Sequence, residues 1–127
     1  MIALMSAFAN IAPAAAQMAE EPYVILVEYT FDEKDIDTAI ELLSEMQTQT
    51  LENEEGCMVY DLLLSEDDPT TIFIYESYES EAAFKVHTNS KYYKVLVPTK
   101  IAPLIKKEKI TKVIPLNQEE ELVDEEV

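Results

Sequence analysis

The chain has 127 residues, and its 48% content of hydrophobic residues is typical of one folded domain rather than of a disordered chain. Its formal net charge of -17, with nine lysines and no arginine, argues against a protein that binds nucleic acid or an anionic membrane, because either would need a basic patch. One cysteine and one histidine can form neither an intramolecular disulfide nor a structural zinc site.

Residues 1–17 carry no charged side chain and end in the small-residue run AAAQ, which is typical of a signal-peptide cleavage site. The basic start of such a signal is missing, so two interpretations stay open. In the first, residues 1–17 are an export signal and the protein is periplasmic or secreted. In the second, translation starts at Met18 and the protein is cytoplasmic. We favour export, and we assign the folded domain to residues 18–116 in either case.

Alternation of residue types from Tyr23 to Phe31 predicts a strand with one wholly apolar face and a second face that is half apolar. Asp32 is predicted to cap the helix that follows. The inward face of this helix is predicted to contain Ile36, Ala39, Ile40, Leu43, Met46 and Leu51. Gly56 is predicted to end the helix in a left-handed conformation.

Strands are predicted at residues 57–64 and 70–78, joined by a polar turn as a hairpin. Ser80 is predicted to cap a second helix, which Pro98 and Pro103 interrupt. The inward stripe of this helix is predicted to contain Ala83, Val86, Ser90, Tyr93 and Val97, with His87 at its edge. A last strand is predicted at residues 106–116, anchored by Ile110, Val113 and Ile114. Residues 117–127 form an acidic tail with six carboxylates, which we expect to be disordered or to act as an arm.

The order strand, helix, strand, strand, helix, strand predicts an α+β fold of the ferredoxin-like βαββαβ type, with helices on one face of an antiparallel sheet. The other sheet face also carries apolar residues and therefore needs a cover. We expect a homodimer in which two sheets face each other, forming a dimeric α/β barrel.

His87 is the only histidine and hence the only side chain whose ordinary pKa lies close to neutral pH. A lone histidine at the edge of a helix stripe is, by itself, more often structural than catalytic. Tyrosines at alternate positions of a strand are likewise most often packing residues. The residues alone therefore identify where acid–base chemistry would occur without establishing that it does.

Four runs resemble the antibiotic biosynthesis monooxygenase family, which includes small quinol monooxygenases and autoinducer-2-processing proteins. They are EGCMVY at 55–60, IYESY at 74–78, SEAAF at 80–84 and HTNS at 87–90. The resemblance extends over residues 22–116. Where the family pattern usually has tryptophan near position 78 and histidine or phenylalanine near position 92, this chain has tyrosine.

The resemblance implies that O₂ oxidises a quinol or polyhydroxylated aromatic without a cofactor, since such a substrate delivers electrons to O₂ once it is deprotonated. His87 would be the base, and Glu76 would orient it or set its tautomer. Tyr60, Tyr78 and Tyr75 would bind the substrate. The implied partners are the small aromatic substrate, O₂ and a second copy of the chain, with neither nucleic acid nor membrane.

Other activities stay open at this point. One is a proton-transfer isomerase of the autoinducer-2-processing type, for which the lack of arginine disfavours a phosphorylated substrate. Another is a dimeric ligand-binding or stress protein without catalysis. Haem degradation, in which a helix histidine ligates haem, occurs in a branch of the superfamily, but the missing tryptophan and arginine disfavour it.

Overall fold

A four-stranded antiparallel sheet forms the centre of the protein in the computed structural model, which describes residues 21–116. The strands are β1 (Tyr23–Phe31), β2 (Cys57–Leu64), β3 (Thr71–Tyr78) and β4 (Ile105–Val113), and the helices are α1 (Ile36–Asn53), α2 (Glu81–Thr88) and α3 (Lys91–Leu96). The strand order β2-β3-β1-β4 is that of the ferredoxin-like plan, which confirms the predicted fold class. The predicted leader and acidic tail lie outside the described residues, so both stay predictions.

The hydrophobic core lies between one face of the sheet and the helices. Alternation in β1 points Ile25, Val27 and Phe31 to this face, and β3 adds Ile72 and Ile74. The helical side of the core contributes Ala39, Leu43, Met46, Leu96 and Ile101. Each large aliphatic side chain buried here stabilises the fold by roughly 1.5–3 kcal/mol relative to its exposed state. Among residues 21–116, no helix is both long enough and apolar enough to cross a membrane.

The opposite face of the sheet carries apolar side chains that no helix of the described residues covers. Register pairing places Leu26 beside Tyr75, and Phe73 beside Leu63, on this face. Leu63 is exposed and Tyr75 is 37% exposed. The predicted homodimer would cover this surface, so it stays the natural hypothesis for it.

The first helix differs from its prediction at its start and in the residues of its inward face. Asp32 makes no capping hydrogen bond and instead forms an ion pair with Lys106 at 3.1 Å, while a short 3-10 turn precedes α1. Ile40 and Leu51 were predicted to face inward but are exposed. Thr50 takes a buried position instead, because its hydroxyl donates to the carbonyl of Met46 at 2.7 Å.

The second predicted helix is two helices, and this changes which residues face inward. Ser80 caps α2 as predicted, since its hydroxyl oxygen accepts from the Ala83 N–H at 3.1 Å. Ser90 then caps α3 by accepting from the Tyr93 N–H at 3.2 Å. This restart breaks the assumed continuous stripe, so Val86 is 60% exposed and His87 only 2% exposed. The prediction for Val86 was therefore wrong, and His87 lies at the centre rather than the edge of the buried face.

The chain from α3 to the last strand follows the prediction in outline. After α3 the chain forms a π-helical turn, Val97–Ile101, and a 3-10 turn, Ala102–Leu104, so the two prolines do end the regular helix. β4 begins one residue before the predicted strand and ends earlier. Its expected anchors Ile110 and Ile114 are exposed, because β4 is an edge strand.

Gly56 does not adopt the predicted left-handed conformation. Its role is to allow close packing: a Cβ atom at this position would lie 2.6 Å from the Cβ of Ala83 in α2. The carbonyl of Gly56 also accepts from the Glu79 N–H at 2.8 Å, just before α2 begins. The turn after α1 is therefore docked directly against the start of α2.

We expect Gly56→Ala to reduce the free energy of unfolding by about 1–3 kcal/mol, because α2 must move away to accept the added methyl group. Urea unfolding of Gly56→Ala, Ala83→Gly and the double variant tests this. Ala83→Gly removes the atom that clashes, so the double variant should be more stable than the sum of the single effects predicts. If the two single effects on the free energy of unfolding simply add in the double variant, contact with Ala83 is not the reason for a glycine at position 56.

Candidate active site

A cavity of about 120 Å³ lies between the helix side of the sheet and the helices. Aliphatic residues form its floor, among them Ile25, Val27 and Ile74. Aromatic rings surround the rest of it, from Tyr23, Tyr29, Tyr60, Phe84 and Tyr93. Within the described chain, the only carboxylate and the only imidazole in its lining are those of Glu76 and His87.

His87 is held in the last turn of α2, where its ring is enclosed by aromatic side chains. Ring centroids of Tyr60, Tyr78, Phe84 and Tyr93 lie 5.1 to 6.2 Å from that of the imidazole. The Ser90 hydroxyl donates to the carbonyl of His87 at 2.8 Å, which fixes the backbone where α2 gives way to α3. The ring therefore has little freedom to rotate.

Glu54 contacts the ring on its Nδ1 side and was not predicted from the sequence. Nδ1 of His87 lies 3.2 Å from Oε1 and 3.1 Å from Oε2 of Glu54. The hydroxyl of Tyr92 donates to the same carboxylate. Glu54 follows the C-terminus of α1, where the helix dipole disfavours a carboxylate. A carboxylate at the end of a helix does not by itself identify Glu54 as a site residue, because Glu52 and Glu55 lie at the same helix end.

Glu76 faces the other nitrogen of the ring. Its Oε1 lies 3.9 Å from Nε2 of His87 and accepts a hydrogen bond of 2.6 Å from the hydroxyl of Tyr78. The two carboxylates thus lie on opposite sides of the imidazole. Glu76 was predicted to orient the ring or set its tautomer. In this geometry Glu54, and not Glu76, lies within hydrogen-bond distance of the ring.

Burial determines the protonation of the site. It raises the pKa of Glu76 from its usual 4.5 to about 7, with the Tyr78 hydrogen bond opposing and the nearby charge of Glu54 adding to the rise. Burial also lowers the pKa of His87 below its usual 6.5, although Glu54 opposes this. His87 is therefore neutral at neutral pH, and Glu76 exchanges its proton near the same pH.

The tyrosines of the site remain phenols at neutral pH. Burial raises the pKa of Tyr60 well above 10, and the charge of Glu76 raises it further. The pKa of Tyr93 is raised for the same two reasons. These hydroxyls are hydrogen-bond donors and not bases.

The predicted site residues divide into three groups by position. His87, Glu76 and Tyr60 line the cavity together. Tyr78 is fully buried behind the lining, where its hydroxyl donates to Glu76 and its ring packs beside His87. Tyr75 lies on the opposite face of the sheet, beside Leu26, and is not brought to the cavity.

Three further tyrosines of the lining, Tyr23, Tyr29 and Tyr93, were not predicted as site residues. Tyr23 and Tyr29 belong to the apolar face predicted for β1, and Tyr93 to the inward stripe predicted for the second helix. All three positions were interpreted as core positions from their spacing. The spacing could not show that this part of the core contains a cavity.

The site does not fit a haem group. Both ring nitrogens of His87 face carboxylates, and the cavity of about 120 Å³ is smaller than the roughly 300–1,000 Å³ of typical ligand pockets. Among residues 21–116, no cluster of three or more His, Cys, Asp or Glu side chains is placed to hold a metal ion.

Comparison with known proteins gives a consistent result. Residues 22–99 match the family described as Antibiotic biosynthesis monooxygenase. A candidate antibiotic biosynthesis monooxygenase from Bacteroides thetaiotaomicron shares the fold, with a TM-score of 0.72 and 22% identity over 78% of this chain and 93% of that one. One from Nitrosomonas europaea has a TM-score of 0.70 and 24% identity, covering 76% and 92% of the two chains. A Mycobacterium tuberculosis protein has a TM-score of 0.70 and 25% identity, covering 77% and 98%.

We expect Glu76→Gln to stabilise the protein at alkaline pH. Because the folded-state pKa is raised from 4.5 to about 7, stability that Glu76 contributes below pH 4.5 is lost as the pH rises through 7. Glutamine does not ionise, so the variant should be more stable than wild type by about 3 kcal/mol at about pH 8 and equal to it at about pH 4.

Urea unfolding across this pH range measures the difference. Glu66→Gln, which changes an exposed carboxylate between β2 and β3, is the matched control and should show no such pH dependence. A constant difference between wild type and Glu76→Gln would contradict the raised pKa.

Proposed function

The chain belongs to the antibiotic biosynthesis monooxygenase family, and we propose that it oxidises a quinol or other hydroxylated aromatic compound with O₂, without a cofactor. The observation that carries the proposal is the environment of His87. A buried neutral imidazole is bound to Glu54 on one side and faces Glu76 on the other, at the wall of an apolar and aromatic cavity. This is the arrangement that a base needs in order to deprotonate a hydroxylated ring.

In the proposed reaction, the substrate, O₂ and the side chains of the site account for every atom and proton. His87 Nε2 takes the hydroxyl proton, and the electron-rich ring then gives electrons to O₂ and forms a C–O bond. One oxygen atom stays on the ring, which becomes a quinone. The other leaves as water with the hydrogens of the original O–H and C–H groups. His87 and Glu76 both line the cavity, so in this reaction each can accept a proton from the substrate and return it to the departing oxygen.

The lining of the cavity favours an uncharged substrate. Of the residues described, neither a lysine nor an arginine lines the cavity, so a phosphorylated or carboxylated ligand would be buried without a counter-ion. Tyr60 lines the cavity and its hydroxyl stays protonated, so it can donate to an oxygen atom of the substrate. These features support a neutral quinol over the phosphorylated substrate of an isomerase.

The size of the cavity favours a single ring. Its volume of about 120 Å³ is close to the roughly 150 Å³ of an engineered protein cavity that binds benzene. A fused-ring quinol would require the aromatic wall to move. We therefore expect monocyclic quinols to react faster than fused-ring ones.

Oxygen uptake with a panel of monocyclic and fused-ring quinols tests the activity. We expect His87→Gln to lower the rate at least about 100-fold, because general-base catalysis contributes on the order of 10²–10⁴. Val86→Ala, at the neighbouring exposed position of α2, is the matched control and should retain the wild-type rate. Equal rates for wild type and His87→Gln on every substrate would refute the proposal.

The homodimer is part of the proposal and is tested separately. Sedimentation at micromolar concentration should give twice the chain mass of 14.4 kDa. Tyr75→Glu places a charge on the uncovered sheet face and should yield monomers. Thr48→Glu adds the same charge on an exposed position of α1 and should remain dimeric. A monomeric wild type would refute the proposal that a second copy of the chain covers this face of the sheet.

A further inference from the structure

We propose that Glu54 is a positioning residue, which holds neutral His87 in the tautomer with its proton on Nδ1 and so leaves Nε2 free to accept the proton of the substrate. The consequence for catalysis rests on the proposed function of His87 as a base. The tautomer itself does not, because it can be measured without any substrate.

The hydrogen bonds around the imidazole define this tautomer. Both oxygens of Glu54 lie within 3.2 Å of Nδ1, and a carboxylate accepts hydrogen bonds, so Nδ1 donates. Nε2 lies 3.9 Å from Glu76, which is too long for a hydrogen bond. The lone pair of Nε2 is therefore unengaged on the side of the ring where Glu76 lies.

The carboxylate of Glu54 is held in place from several directions. Its side chain is only 4% exposed, and the Tyr92 hydroxyl donates to it. The backbone N–H of Glu54 donates to the Thr50 carbonyl at 3.0 Å, and its carbonyl accepts from the Cys57 N–H at 3.2 Å. A carboxylate fixed in this way can orient the ring, since neither group needs to be ordered when the substrate binds.

Glu54 also separates the cavity from a groove on the outer surface. Glu54 and Tyr92 line this groove together with Lys85 and Asn53, whereas His87 lines the cavity on the inner side. In the described part of the chain, no residue lines both. A substrate in the cavity would therefore approach His87 from the side away from this groove, and we expect the contact between Glu54 and Nδ1 to remain.

Removal of Glu54 should reverse the tautomer. The titratable groups that face the ring are Glu54, Glu76, Tyr60, Tyr78 and Tyr93. The tyrosines are protonated donors, because burial raises the pKa of each. With glutamine at position 54, Glu76 would be the one carboxylate beside the ring, and the proton should move to Nε2.

Histidine-selective ¹⁵N labelling of the untagged chain reports the tautomer directly, because the sequence contains a single histidine. In wild type at about pH 8 we expect a protonated Nδ1 and an unprotonated Nε2. In Glu54→Gln we expect most of the population to carry the proton on Nε2. Glu55→Gln, an exposed carboxylate one residue further on, should match wild type.

A second variant keeps the test decisive if Glu54→Gln does not fold. Glu76→Gln removes the competing carboxylate, so His87 should keep its proton on Nδ1. A proton on Nε2 in wild type or in Glu76→Gln, or a wild-type spectrum for folded Glu54→Gln, would overturn the proposal.

Oxygen uptake then separates this inference from the proposed function. If quinols are oxidised, Glu54→Gln should lower kcat at least about 100-fold, since a carboxylate-to-amide change beside a catalytic histidine acts through the wrong tautomer. If no quinol is oxidised but the tautomer reverses as expected, the positioning role stands and the oxygenase proposal fails. If quinols are oxidised and the tautomer does not depend on Glu54, the oxygenase proposal stands and the positioning role of Glu54 fails.

Discussion

The hydrogen bonds between Glu54 and His87 depend on how closely α2 packs against the turn that follows α1. These two residues are 33 positions apart in the chain, and they meet because Gly56 lets the turn approach Ala83 without a side chain between them. β3 is connected directly to α2 and brings Glu76 to the other side of the same ring. A backbone contact with no chemistry of its own thus determines the geometry of the ionisable groups.

Two buried carboxylates beside one imidazole carry a cost in stability. A buried carboxylate loses its hydrogen bonds to water, and protein groups must supply hydrogen bonds instead. Here tyrosine hydroxyls supply some of them: Tyr92 donates to Glu54, and Tyr78 donates to Glu76. The hydrogen bond from Tyr78 does not fully offset the desolvation of Glu76, because the pKa of Glu76 is still raised. A purely structural core would be more stable with apolar residues at these positions, which is why this cluster indicates a functional site.

Local patterns predicted the strands well, because alternation in β1 and β2 reflects a sheet with one buried face. The Ser80 cap and the helix end at the prolines also follow from local chemistry. The phase of the second helix could not be predicted, since Ser90 could extend a helix or cap a new one, and only the packing of His87 decides. The role of Gly56 was equally hidden, because a glycine needed for close packing looks in sequence like one needed for a turn.

The site itself was only half predictable, for a related reason. His87 and Glu76 could be proposed from a family resemblance and a strand alternation, and the structure places them side by side. Glu54 belongs to a run of similar glutamates, and nothing local distinguishes the one that is buried. Tyr75 shares a strand with Glu76, but neighbouring residues of a strand point to opposite faces, so proximity in sequence was misleading there.

The charge balance of the cavity explains why a carboxylate behind the histidine matters in this chain. The quinol that we propose as substrate is an anion once it is deprotonated, and the lining described here contains no lysine or arginine to offset that charge. In the proposed reaction, the one cation that can form beside it is the imidazolium of His87. Burial opposes that charge, and the carboxylate of Glu54 favours it. In that proposed state, the substrate anion, the imidazolium and Glu54 would form an alternating row of charges in a site of low dielectric, where each attraction is stronger than in water. The proposed proton transfer and the stabilisation of its product would therefore depend on the same residue pair.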